Sequence, residues 1–177
     1  KSLVERNKIG VICMEVMRNK FPKNNFLKKV RQLADKKGIV LIFDECTSGF
    51  RKNYGGLHLL FNVKPDLAIF GKALGNGYAI TAIIGKKNIM MTAQKSFISS
   101  TFWTERIGPC AAIATLDVMK KTKSWKTIDK NGNYIMDNWR KLAKRYGLEI
   151  ELNGLPALCS FVFKSKNSEK YKALITQ

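Results

Sequence analysis

Residues 8 to 17 read Lys8-Ile9-Gly10-Val11-Ile12-Cys13-Met14-Glu15-Val16-Met17, a mainly apolar run with β-branched residues that closes on an acid. Continuous apolarity without polar alternation predicts a strand buried on both faces and ending at Glu15. Phe26, Leu27, Val30, Leu33 and Ala34 then recur at helical spacing, and Gly38 follows the basic end Lys36-Lys37 as a stop. The helix feeds a second apolar strand, Ile39 to Phe43. Strand, helix and strand in that order predict a right-handed βαβ unit with two parallel strands. Leu67 to Phe70 is a third short apolar run, and Ala79 to Gly85 a fourth.

Beyond residue 100 the period changes. Ala111 to Lys121 reads as an alanine-rich amphipathic helix. A longer helix spans Trp125 to Tyr146, with Ile128, Ile135, Met136, Trp139, Leu142 and Ala143 as core or interdomain packing and Gly147 as its stop. Leu148 to Leu152 and Ser160 to Lys164 are strand-like, and Ser168 with Glu169 opens a last helix. The pattern predicts an α/β fold: a mostly parallel sheet with helices on both faces over residues 1–147, then the start of a small α+β C-terminal subdomain over 148–177. There is no internal repeat. The chain opens at Lys1 without a Met and stops in what looks like the middle of a helix, so it reads as an excised piece.

Two strand ends carry chemistry. The run Leu41-Ile42-Phe43 breaks into Asp44-Glu45, and Leu67 to Phe70 leads through Gly71 to Lys72, with Ala73 and Gly75 beside it. In open α/β sheets ligands sit outside the carboxyl ends of the strands, so an acid and an amine delivered there by separate strands meet at one crevice. A lysine amine can form a Schiff base with an aldehyde, and a carboxylate can pair with a protonated pyridine nitrogen; pyridoxal phosphate (PLP) requires both. Lys72, at the end of a buried strand, is expected to be desolvated, which leaves a neutral nucleophilic amine. The glycine-rich stretch Gly49 to Gly56 has neither the G-x-G-x-x-G nor the Walker spacing and does not read as a nucleotide site.

Composition narrows the alternatives. In 177 residues, 32 Lys and Arg against 13 Asp and Glu give a net charge of +19, the electrostatic footprint of a polyanion binder. Yet the lysines are spread along predicted helix ends and outer faces with no interleaved aromatics, so solvated helix surfaces explain most of the excess, and nucleic acid is not the expected partner. A non-enzymatic, basic nucleic-acid-binding α/β domain stays as the alternative. No apolar run reaches the length of a membrane span and no signal-peptide core follows the first basic residues, so a cytoplasmic protein without membrane contact is expected. Cys13, Cys46, Cys110 and Cys159 are widely separated and read as free thiols, with no metal site. His58, the single histidine, lies in an ordinary apolar stretch and carries no predicted chemistry.

The wording of three stretches, Leu41 to Arg51, Val63 to Gly77 and Ile98 to Leu116, resembles in order and spacing the central part of the class III PLP-dependent aminotransferases of fold type I, particularly their glutamate-1-semialdehyde aminomutase-like branch. The resemblance covers nearly the whole chain, and the chain less than half of such an enzyme. It implies PLP on Lys72 as a Schiff base, with the released amine as general base, and Asp44 as the partner of the pyridine nitrogen. It also implies Cys46 against the ring face, Thr47 reaching the phenolic oxygen, and Thr101 as a phosphate ligand, often across the interface of a homodimer. Glu15 would approach the substrate side, although Val16 stands where relatives usually have Pro. Glu45 is the second acid of the signature. Thr104-Glu105-Arg106-Ile107-Gly108-Pro109 departs from the usual Gly-Asn-Pro. The implied activity is amino-group transfer between a small-molecule amino donor and a carbonyl acceptor, as a transaminase or an aminomutase; racemisation and decarboxylation use the same two anchors. Relatives carry the main phosphate loop and the ring-stacking aromatic in a segment that would precede Lys1, so this piece alone is expected to bind PLP poorly.

Overall fold

A computed structural model describes residues 2–98 and 104–176 of the chain. A first short helix, α1 (Ser2–Arg6), precedes strand β1 (Val11–Glu15), helix α2 (Phe26–Lys37) and strand β2 (Val40–Asp44). Helix α2 stops where the sequence predicts: Gly38 adopts φ 63° and its N–H returns to the carbonyls of Ala34 and Asp35, a conformation that costs glycine little. A 3-10 turn at Leu57–Phe61 leads to β3 (Leu67–Phe70), and β4 (Ala82–Gly85) follows. The four strands form one sheet in the order β1-β2-β3-β4. The β1–β2 and β2–β3 pairs are parallel, whereas β4 runs antiparallel to β3. The run expected to be a strand from Ala79 is therefore shorter, beginning at Ala82.

The core lies around the central strand. Leu41 and Phe43 of β2 are fully buried, packed with Leu27 and Ala34 of α2, Val16, Met17, Leu57, Val63 and Leu155. A buried acid ties the same layers together. Asp66 accepts the Leu41 backbone N–H at 2.7 Å, Arg31 Nη1 of α2 at 2.9 Å and Lys86 Nζ at 2.6 Å. Burial by itself would raise the Asp66 carboxyl, but the Leu41 N–H, Lys86 and Arg31 together hold it below the ordinary carboxylate range.

A short helix α3 (Lys87–Met90) leads on, and then α4 (Ile107–Thr122) and α5 (Ser124–Arg145) meet at Lys123. Strands β5 (Ile150–Asn153) and β6 (Ser160–Phe163) pair antiparallel, and α6 (Ser168–Thr176) follows. Trp139 of α5 stacks on Phe161, and Phe161, Phe163 and Tyr171 continue the ring contacts. Ile135 and Leu142, expected to be packed, are exposed in α5. The α5 residues fully inside are the small ones, Gly132 and Ala143, because the 3-10 turn Pro156–Leu158 comes in close: a Cβ at Gly132 would lie 2.0 Å from the Pro156 carbonyl oxygen.

Candidate functional site

Glu15 and Asp44 stand in register at the ends of β1 and β2, and Asp44 is level with Ile69 in β3. All three strands are parallel, so Glu15, Asp44 and the lysine just past β3 emerge at one edge of the sheet. Asp44 is half-buried, and its Oδ1 accepts the Cys46 backbone N–H at 2.9 Å, an Asx-type turn that folds the chain back across the strand end. Lys72 opens a 3-10 turn (Lys72–Leu74) and donates from Nζ to Thr47 Oγ1 at 2.6 Å. Its backbone is left-handed at φ 43°, which costs a non-glycine residue roughly 1–2 kcal/mol and persists only where surrounding structure holds it.

The expectation of a desolvated Lys72 is corrected: its side chain is exposed. Strand β3 ends at Phe70, so Lys72 lies past the core and reaches outward from the sheet edge. It lines a cavity of about 370 Å³ together with Glu15, Met17, Arg18, Thr47 and Leu158. It also borders a second cavity of about 760 Å³, lined by Phe50, Arg51, Asn76, Thr115 and Ile128 among others. The smaller cavity assembles the predicted residues Glu15, Thr47 and Lys72, with Asp44 and Cys46 in the adjoining turn. Glu15 also lies 4.0 Å from the guanidinium of exposed Arg18. Thr101 lies outside the described residues.

Cys46 is electrically coupled to both predicted anchors. Burial pushes its thiol up, a hydrogen bond and the charge of Asp44 add to that, and the Lys72 ammonium works in the opposite direction. Gly71 is buried beside Cys46, where a Cβ would stand 3.4 Å from Sγ, an ordinary contact.

On the opposite side of the same turn lies a cluster that the sequence reading passed over. Glu45 is fully buried; its Oε1 accepts the His58 backbone N–H and lies 2.8 Å from His58 Nδ1, while Oε2 accepts the Ser48 hydroxyl. Burial alone would raise the Glu45 carboxyl, yet the bonds from the His58 side chain, Ser48 and the His58 and Leu57 N–H groups bring it below the ordinary range. A signal for this was present. Leu41, Phe43 and Glu45 continue one period-2 face, and a carboxylate on a core face demands partners.

Among the described residues no helix is long and apolar enough to cross a membrane, and no group of three or more His, Cys, Asp or Glu could hold a metal ion. The donor set fits two ends of a PLP molecule: a primary amine after one strand and a carboxylate after its neighbour. An α/β sheet that delivers these groups to one edge has the architecture of fold type I PLP enzymes. FumI from Sphingopyxis, solved in its PLP internal aldimine form, has the same fold, with a TM-score of 0.87 at 23% identity over 95% of this chain and 42% of that one.

The chain belongs to the class III aminotransferases: the family model, aminotransferase class-III, matches residues 17–177. Pyridoxal phosphate is the cofactor of this family. A 3-aminobutyryl-CoA aminotransferase of Cloacimonas acidaminovorans is 36% identical over 186 residues, taking in 100% of this chain and 45% of that protein. A glutamate-1-semialdehyde 2,1-aminomutase of Thermodesulfovibrio yellowstonii is 37% identical over 133 residues, 73% of this chain and 31% of that protein. The chain thus spans less than half the length of these curated relatives.

Proposed function

We propose that the whole protein transfers an amino group between a small-molecule amine or amino acid and a carbonyl acceptor, with PLP as cofactor and Lys72 as its point of attachment. The observation that carries this reading is the shared sheet edge of Lys72 and Asp44, with the Lys72 amine already held by Thr47 at 2.6 Å. When bound, PLP supplies an electron sink for negative charge at the carbon that carries the amino group. Asp44 keeps the ring nitrogen protonated by accepting its hydrogen bond, and a carboxylate does this best when it is itself fixed, as the Cys46 N–H fixes Asp44. Lys72 Nζ would hold the cofactor and, as a free amine, would serve as the base for the proton at that carbon. Thr47 holds this amine in reach, Cys46 would pack beside the ring, and Glu15 would face the substrate. Thr101 as a phosphate ligand and a homodimeric assembly, both resting on the family resemblance, complete the proposal, with a cytoplasmic location and a smaller domain starting near Leu148 that rest on the sequence pattern.

The deciding experiment is an absorbance spectrum of the full-length protein after incubation with PLP and gel filtration, beside Lys72→Ala. The expected result is a retained visible band that borohydride abolishes and the variant lacks. No band in the full-length wild type sinks the proposal.

A further inference from the structure

The geometry connects the Glu45–His58 cluster to the site. The sequence order within the turn is Asp44, Glu45, Cys46, Thr47, Ser48, so the residue that holds the Lys72 amine lies between the two residues that close the buried cluster. The turn is pinned on both sides of Thr47. The Glu45 N–H donates to the Ile69 carbonyl at 2.8 Å, the Gly49 N–H donates to the Glu45 carbonyl at 2.8 Å, and the Ser48 hydroxyl closes onto the Glu45 carboxylate. That carboxylate is in turn held by His58, whose ring packs on Phe43 with centroids 5.9 Å apart. The fit is close on the remaining side: a Cβ at Gly56 would lie 2.5 Å from the His58 ring.

We propose that His58 is a positioning residue for Lys72: by holding the buried Glu45 carboxylate it fixes the turn from Asp44 to Gly49, and so sets the Thr47 hydroxyl against the Lys72 amine. The inference rests on the reading of Lys72 as the reactive amine. The physical reason is that a fully buried carboxylate keeps its position only while its acceptor capacity is filled. His58 supplies two of the donors, one from backbone and one from the ring, and only the ring donor is lost on substitution. Without it the carboxylate must find water or another donor, and the turn moves with it. Displacements of about 1 Å at a reacting group cost on the order of 100-fold in rate.

The test uses full-length protein in two forms. In the apoprotein, the rate of reductive methylation of Lys72 is followed by peptide mass spectrometry for wild type, His58→Phe, Thr47→Val, the double variant and His58→Asn, whose side-chain amide places a donor where Nδ1 stands. His58→Phe and Thr47→Val should each label Lys72 several-fold faster, the double variant no faster than Thr47→Val, and His58→Asn should return to the wild-type rate. In the PLP-loaded protein, His58→Phe should lower kcat roughly 10- to 100-fold with KM little changed. Lys72 labelling that His58→Phe leaves unmoved, or effects of the two substitutions that simply multiply, overturn the proposal. Should His58→Phe fail to fold, Ser48→Ala removes the other side-chain donor of the same carboxylate and must speed labelling; an unchanged rate there overturns it equally. A wild type that does not attach PLP refutes the proposed function alone, because the labelling is read without cofactor.

Discussion

Glu15 and Asp44 are partners on the last rung of the parallel β1–β2 ladder, yet their carboxylates are held differently. Asp44 is tied by the Cys46 N–H, whereas Glu15 has the exposed guanidinium of Arg18 at 4.0 Å. Paired residues of parallel strands present their side chains to the same face, so both acids stand at one end of the sheet, Asp44 as a fixed acceptor and Glu15 on the cavity rim. The difference separates their expected roles. In the full-length enzyme Asp44→Asn should lower kcat on the order of 100-fold, the scale of losing one preorganised electrostatic partner, and weaken PLP retention. Glu15→Gln should act mainly on KM. Steady-state kinetics with PLP quantified after gel filtration check this, and equal effects of the two substitutions would contradict it.

Acid stability is expected to follow Asp66 and Glu45. Both carboxyls are lowered in the folded chain, so the folded state binds their protons less readily than the unfolded state. Their contribution is complete above the unfolded values, about 4, and is lost as pH falls through the lowered folded values. Asp66→Asn should reduce stability by roughly 2 kcal/mol at neutral pH, the scale of a hydrogen bond to a charged group, and flatten the acid limb. Denaturant melts at several pH values measure both; an acid limb unchanged by the substitution would refute the assignment.

Gly132→Ala tests the seat of the cavity's far wall. The added methyl has no room beside the Pro156 carbonyl, and overpacking of this kind costs about 2 kcal/mol. The Pro156 turn carries Leu158 into the cavity beside Lys72. Thermal melts should therefore show a loss of stability accompanied by a raised KM. Loss of stability with unaltered KM would separate this wall from substrate contact.

Thiol reactivity gives a direct reading of the Asp44–Cys46–Lys72 arrangement. Burial and Asp44 push the Cys46 thiol up, and only the thiolate is nucleophilic. Cys13 and Cys110 are exposed. Iodoacetamide on the native protein should alkylate those two first and Cys46 several-fold more slowly, with Asp44→Asn narrowing the gap. Peptide mass spectrometry of a time course decides it, and Cys46 reacting as fast as Cys13 would be the contrary result.

Much of this protein is written locally. The strand ends at Glu15 and Asp44 and the Gly38 stop follow from run length, period and the conformational freedom of one glycine, which are properties of a few neighbouring residues. The family was indicated by the wording of Leu41 to Arg51, Val63 to Gly77 and Ile98 to Leu116. The tertiary structure alone decided the rest. The direction of β4 depends on how the chain returns past Gly75 and Tyr78. The exposure of Lys72 depends on what packs around the end of β3, and the contact of His58 with Glu45 joins two buried side chains 13 residues apart. Local pattern specifies which elements form and which residues sit at their ends. Which side chains meet is set by packing across strands and by the need to fill every buried polar group, and those partners are distant in sequence.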